Sequence, residues 1–277
     1  MFEKKRPRTI RFVLFSVIFG LFVWSCTKVP ITGRSQLALV PEGEIIGMAS
    51  ASYDTFLMQN KLSTDKEATA MIKRCGSKIQ KAVESYFASQ NASDQLNGYE
   101  WEFNLVESEE VNAWCMPGGK VVFYTGILPI CKDETGVAVV MGHEVAHAVA
   151  RHGNERMSQG LLAQFGSAAL DAALAHNSQM TKQIAATAFG LGAQFGALLP
   201  FSRKQESEAD HLGIIFMAMA GYDPRAAVPF WERMASGSKG GKPPEIMSTH
   251  PSDETRIANL NKLMPEAMKY YKPASTN

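Results

Sequence analysis

Cysteine is scarce in this chain, with four in 277 residues and no two of them in a Cys-x-x-Cys pair, so neither a thiolate zinc site nor a thioredoxin-like redox motif has support. Long hydrophobic runs are lacking as well. The most continuous apolar stretch, 12–24 (FVLFSVIFGLFVW), would cover about 20 Å as a helix, short of the ~30 Å hydrocarbon core of a bilayer. Charge of one sign is missing too: 28 basic and 27 acidic residues leave a formal +1, and five of the basic residues fall in the first 25 positions. No polybasic surface remains to attract nucleic acid. With only 13 prolines and 22 glycines, collagen-like and low-complexity classes are excluded, and an apolar share of 45% suits a folded globular domain, expected over 41–277.

Lys4, Lys5, Arg6, Arg8 and Arg11 precede the apolar stretch, and Ser25-Cys26 follows it. Residues 1–25 therefore read as a signal peptide. Its end resembles a bacterial lipoprotein signal, in which Cys26 becomes the acylated first residue and 26–40 a tether; an uncleaved signal anchor is the alternative. The implied location is the bacterial cell envelope, with the protein lipid-anchored at the outer membrane and facing the periplasm. An oxidising compartment would permit one disulfide among Cys75, Cys115 and Cys131.

Apolar residues recur at helical spacing from Pro41 to about Asn60 and from Asp65 to about Phe87, which predicts two amphipathic helices. Residues 99–107 alternate, 119–125 are β-branched and aromatic, and Pro117-Gly118-Gly119 is turn chemistry, so a small antiparallel sheet is expected. Asp133 and Glu134 open a helix expected to run through His152. Residues 184–201 read as closely packed helices or a membrane-facing surface rather than a span. Ser202 and Gln205 form a capping-box pattern, predicting a helix from about Arg203 to Gly221. Asp223-Pro224 starts another helix, 236–244 reads as a loop, and Pro251 begins a last helix. The fold class is α+β and mostly helical.

His143-Glu144-Val145-Ala146-His147 is an HExxH motif on a predicted helix. Residues four apart share a face, so both imidazoles can reach one zinc ion, and Glu144 can address the water that the metal activates. A third protein ligand is required. His152 lies five residues beyond His147, about 140° round the helix, and does not qualify. Glu206 and Asp210 share one face of the later helix while Glu208 points away, which makes Glu206 the candidate ligand and Asp210 a partner that orients a ligand histidine.

Six ordered segments extend the signal: PITGRSQL at 30–37, NAWCMPGGKVVFYTGIL at 112–128, HEVAHAVARH at 143–152, FSRKQESEADHLG at 201–213, AGYDP at 220–224 and STHPSDETRI at 248–257. Together they resemble the gluzincin metalloendopeptidase family that contains the CAAX prenyl endopeptidases, HtpX and the bacterial envelope peptidases BepA and LoiP. The resemblance implies a zincin-like fold, one zinc per chain on His143, His147 and Glu206, and Glu144 as general base. No BepA-like repeat domain is expected after the last segment. His250 is either an N-cap or surface histidine, or, as the resemblance suggests, a catalytic residue that approaches the metal or stabilises the developing negative charge. Arg256 either stabilises an oxyanion or pairs with an acid such as Asp210. His176 and His211 read as structural.

The expected reaction is hydrolysis of peptide bonds in unfolded or misassembled envelope proteins, with the strand near 119–125 binding substrate main chain by β-addition. The alternative of another class is a zinc-stabilised periplasmic chaperone or assembly factor, against which the intact Glu144 argues. A zinc hydrolase acting on non-peptide substrates ranks below both.

Overall fold

The computed structural model describes residues 26–29, 32–193, 199–237, 246–247, 250 and 254–273. The expected signal peptide, 1–25, and nearly all of the expected loop at 236–244 lie outside them. Within the expected tether, β1 (Cys26–Lys28) pairs antiparallel with β2 (Ser35–Leu37), and Val29 is buried in the main core. Two helices follow, α1 (Glu42–Gln59) and α2 (Lys66–Ser89). Asp65 caps α2 by accepting from the Ala68 amide, and Ile72, Ile79, Val83 and Phe87 form its buried stripe.

The sheet is mixed, with strand order β3 (Glu102–Val106), β5 (Lys120–Tyr124), β4 (Ala113–Met116). β4 and β5 form the expected antiparallel hairpin, and Gly118 and Gly119 both take positive φ in its turn. The expectation of a wholly antiparallel sheet is corrected at β3, which runs parallel to β5. The physical reason lies in the connection 107–112, which passes over the C-terminal end of β5. Ser108 is tied there by Thr125, whose hydroxyl donates to the Ser108 carbonyl at 2.8 Å, and by the Gly126 amide, while the Tyr124 amide donates to Asn112 on the other side.

After a short helix α3 (Leu128–Cys131), Asp133 caps α4 (Glu134–Val149), which is buried from Gly136 onward. α4 stops at Val149, earlier than expected, because Arg151 takes a left-handed conformation (φ 58°), and α5 (His152–Ala173) restarts in a new direction. α5 and α6 (Gln179–Ala193) pack together and expose Phe165, Met180 and Ile184. Among the described residues no helix is long and apolar enough to cross a membrane. α7 (Leu199–Met219) begins upstream of Ser202, so the predicted capping box does not form; Gln205 is instead buried and donates to Glu155 at 2.8 Å. Past its end, at the stop expected for this helix, Gly221 takes a positive φ. Asp223 caps a turn that leads into α8 (Ala227–Gly237), and α9 (Glu254–Ala267) closes the fold; the N1 position predicted for Pro251 lies outside the described residues.

The central contact is between α4 and α7. It depends on a glycine from each helix: a Cβ on Gly142 would stand 2.7 Å from the Gly213 carbonyl oxygen, and one on Gly213 would stand 2.9 Å from the His143 nitrogen. Removing both side chains lets the backbones approach, so that acidic residues on α7 reach the α4 histidines. Around this seam pack Phe216, Phe230, Trp231 and Met141, each worth about 1.5–3 kcal/mol of burial. Cys75, Cys115 and Cys131 are free thiols, and burial raises the pKa of each.

At the outer end of α4, Glu134 accepts from Arg74, from Lys78 at 3.0 Å and from the Tyr222 hydroxyl at 2.5 Å. Partial burial would raise its pKa, but these donors prevail and push it down to about 2. A depressed folded-state pKa contributes stability that is present above the ordinary value of 4.5 and lost as pH falls through about 2. Glu134→Gln should therefore flatten the decline of melting temperature over that window and leave its shape above pH 5 unchanged. Thermal unfolding of both proteins from pH 2 to 7 measures this.

Candidate metal centre

α4 sets His143 and His147 one turn apart, with their Nε2 atoms 3.1 Å from each other. α7 brings the Glu206 carboxylate to 3.3 Å from each of those nitrogens. His250 completes the group, its Nδ1 2.9 Å from Glu206 Oε2 and 3.1 Å from His143 Nε2. These four residues are buried, and one ligand atom from each lies within 4.8 Å of all the others.

The group fits zinc on two grounds. Zinc bonds of about 2.0–2.1 Å in a tetrahedron place neighbouring ligand atoms about 3.3 Å apart, close to the spacings found here, and the donor set is imidazole and carboxylate. The charge balance also calls for a cation. Burial and Arg256 press the His143 pKa down, yet Asp210 and Glu206 overcome them and lift it to about 9. Burial alone would raise the Glu206 pKa, but the histidines hold it far below the usual carboxylate range.

Partners behind the ligands fix their orientation. His143 turns Nδ1 to Asp210 Oδ1 at 2.9 Å, leaving Nε2 for the group. Asp210 also accepts from Arg256 Nη2 at 2.5 Å. The Arg256 guanidinium carbon lies over Trp231, 3.3 Å from the ring centroid, and its Nη1 donates to the His250 carbonyl. Of the two roles considered for Arg256, pairing with an acid is the one its contacts display. His147 turns Nδ1 to His152 Nδ1 at 2.8 Å, and His152 Nε2 meets Glu208 at 3.1 Å. Glu144 is buried beside the group; its Oε1 has no hydrogen-bond partner among the described residues and lies 3.6 Å from His250 Nε2. A buried carboxylate oxygen left this way is poised for a solvent or substrate proton.

His176 sits apart from this group on the α5–α6 turn, and His211 pairs with Glu266 at the surface. Cys26 opens β1, opposite Leu37. Sequence reasoning missed His152 and Glu208 as partners of the site. The exclusion of His152 rests on an unbroken helix through 147–152, which the left-handed Arg151 removes. For Glu208 a signal did exist: three acids within five residues of a helix that packs against the core cannot all face water.

Comparison with known proteins agrees with the metal centre. The model of peptidase family M48 matches residues 75–264, more than half of the chain. The mitochondrial metalloendopeptidase OMA1 of Schizosaccharomyces pombe is 39% identical over 177 residues, covering 62% of this chain and 49% of that protein. OMA1 of Saccharomyces cerevisiae is 29% identical over 269 residues, covering 92% of this chain and 75% of that protein. The beta-barrel assembly-enhancing protease of Escherichia coli is 31% identical over 167 residues, covering 57% and 33%. The chain spans about half the length of several of the curated relatives it matches.

These matches correct one expectation. The motifs and the basic, apolar N-terminus imply a lipid-anchored protein of the bacterial outer membrane, whereas the relatives that match over most of the chain are named as mitochondrial, which overturns that location.

Proposed function

The chain belongs to peptidase family M48, and we propose that it is a zinc-dependent endopeptidase that hydrolyses peptide bonds in unfolded or misassembled protein segments. The observation that carries this reading is the juxtaposition of the His143, His147 and Glu206 ligand atoms with buried Glu144, whose Oε1 has no hydrogen-bond partner among the described residues. Zinc, when bound, supplies a Lewis acid that activates water and polarises the scissile carbonyl. Glu144 accepts the proton of the attacking water and returns it to the leaving amine. Asp210 and Arg256 hold His143 in the tautomer whose Nε2 lone pair faces the ion.

Substrate binding by β-addition moves from the strand first expected to carry it. β5 is hydrogen-bonded on both edges and cannot accept another strand. Among the described residues β4 is paired only with β5, and it packs beside α4, the helix that carries Glu144. The edge of Ala113–Met116 that no described strand pairs is the better cradle for an extended main chain, and main-chain pairing tolerates many side chains.

Cleavage of an unfolded model protein should disappear on treatment with a strong chelator and return with stoichiometric zinc. A binding factor without turnover would instead retain unfolded chains intact. His250 supports a variant of the first reading, because its Nδ1 stands among the ligand atoms and could fill the position that the reacting water needs. In that case the wild type is latent, and His250→Ala cleaves in the same assay.

A further inference from the structure

Resting on the zinc reading above, we infer that Arg34, in the turn of the N-terminal hairpin, is a positioning residue for the metal ligand His147, acting through Glu208 and His152. Arg34 joins, from outside the helical body, a buried polar chain that ends on a ligand. Its Nη1 and Nη2 grip the two oxygens of Glu155 on α5 at 2.7 and 2.8 Å, and its Nε donates to Glu208 Oε2 on α7 at 2.9 Å. The Thr32 hydroxyl donates to the other Glu208 oxygen. Glu208 faces His152 Nε2, and His152 Nδ1 faces His147 Nδ1. Glu155 is 1% exposed and His152 is fully buried, so water does not substitute for these partners.

The direction of the chain follows from what each atom can do. A carboxylate only accepts, so His152 presents its N–H at Nε2 to Glu208 and leaves Nδ1 as an acceptor. His147 must then carry its hydrogen on Nδ1, which leaves the Nε2 lone pair facing Glu206 and His143. One carboxylate thus selects the ligating tautomer two rings away, and Arg34 with Thr32 fixes where that carboxylate points. His143 is oriented from within the helical body by Asp210, whereas His147 is oriented by a segment more than a hundred residues away in sequence.

Zinc affinity measured by competition with a chromophoric chelator, on the full chain, tests this. Arg34→Ala and His152→Ala should each bind zinc about 10- to 100-fold more weakly than the wild type. The double variant should be no weaker than His152→Ala alone, because the two residues act in series. The visible spectrum of the cobalt-substituted protein should shift in both single variants. Arg34→Lys, which keeps the charge but not the two-pronged grip, replaces Arg34→Ala if the latter does not fold, and should also weaken binding. A folded Arg34 variant with unchanged zinc affinity and cobalt spectrum, even one with a lower melting temperature of the metal-free form, overturns the inference. Absence of zinc uptake by the wild type overturns the metal reading itself, and this inference with it.

Discussion

Glu144→Gln is expected to lower the rate of peptide cleavage by about 10²–10⁴-fold while leaving one zinc bound per chain. The substitution preserves shape and removes only the capacity to take a proton. Glu144 Oε1 has no hydrogen-bond partner among the described residues, so no hydrogen bond of that oxygen is lost, and a buried amide costs less to desolvate than a buried carboxylate. Thermal stability should hold or rise. The combination of near-zero turnover, full zinc content and an unchanged melting temperature separates a missing base from a damaged fold. Cleavage that survives in Glu144→Gln would remove this residue from the mechanism and move the base elsewhere.

Arg256→Met should destabilise the fold by about 3–5 kcal/mol, read from chemical denaturation of the metal-free protein. The guanidinium is 5% exposed, pairs with Asp210 and stacks on Trp231, so its loss leaves a carboxylate buried at the same depth without its main countercharge. Methionine fills much of the volume, which assigns the effect to charge more than to a cavity. Adding Asp210→Asn to Arg256→Met should recover a large part of the loss, because the second substitution removes the stranded charge. Destabilisation that is just as deep in the double variant would assign Arg256 a packing role on Trp231 instead.

Local rules carried the sequence reading a long way. The stripe Ile72, Ile79, Val83, Phe87 and the Asp65 cap mark α2, Asp133 marks the start of α4, and the four-residue spacings His143–His147 and Glu206–Asp210 assemble most of the metal centre. Nonlocal facts were out of reach. Alternation in 99–107 says which face of a strand is buried but not which neighbour it pairs with, so the parallel partnership of β3 and β5 could not be read. Ser202 and Gln205 have cap chemistry, yet the helix continues upstream of them and Gln205 serves Glu155. The role of Arg34 depends on a contact with Glu208 that spans 174 positions, and no spacing rule reaches so far. A basic, apolar leader is a general address signal, and its physics does not separate one compartment from another.

The left-handed Arg151 makes length variation unequal along the chain. A non-glycine residue in that conformation costs about 1–2 kcal/mol, and here the cost is met because the bend delivers His152 against His147. Adding or deleting one residue between 147 and 152 would leave HExxH intact letter for letter and still carry His152 out of reach. The turn between α5 and α6 carries no such constraint, and doubling a flexible loop costs only about 0.6 kcal/mol in closure entropy. Insertions and gaps among related chains should therefore gather at 174–178 and be absent from 148–151, so the count of residues after the second histidine is as much a part of the signature as the letters.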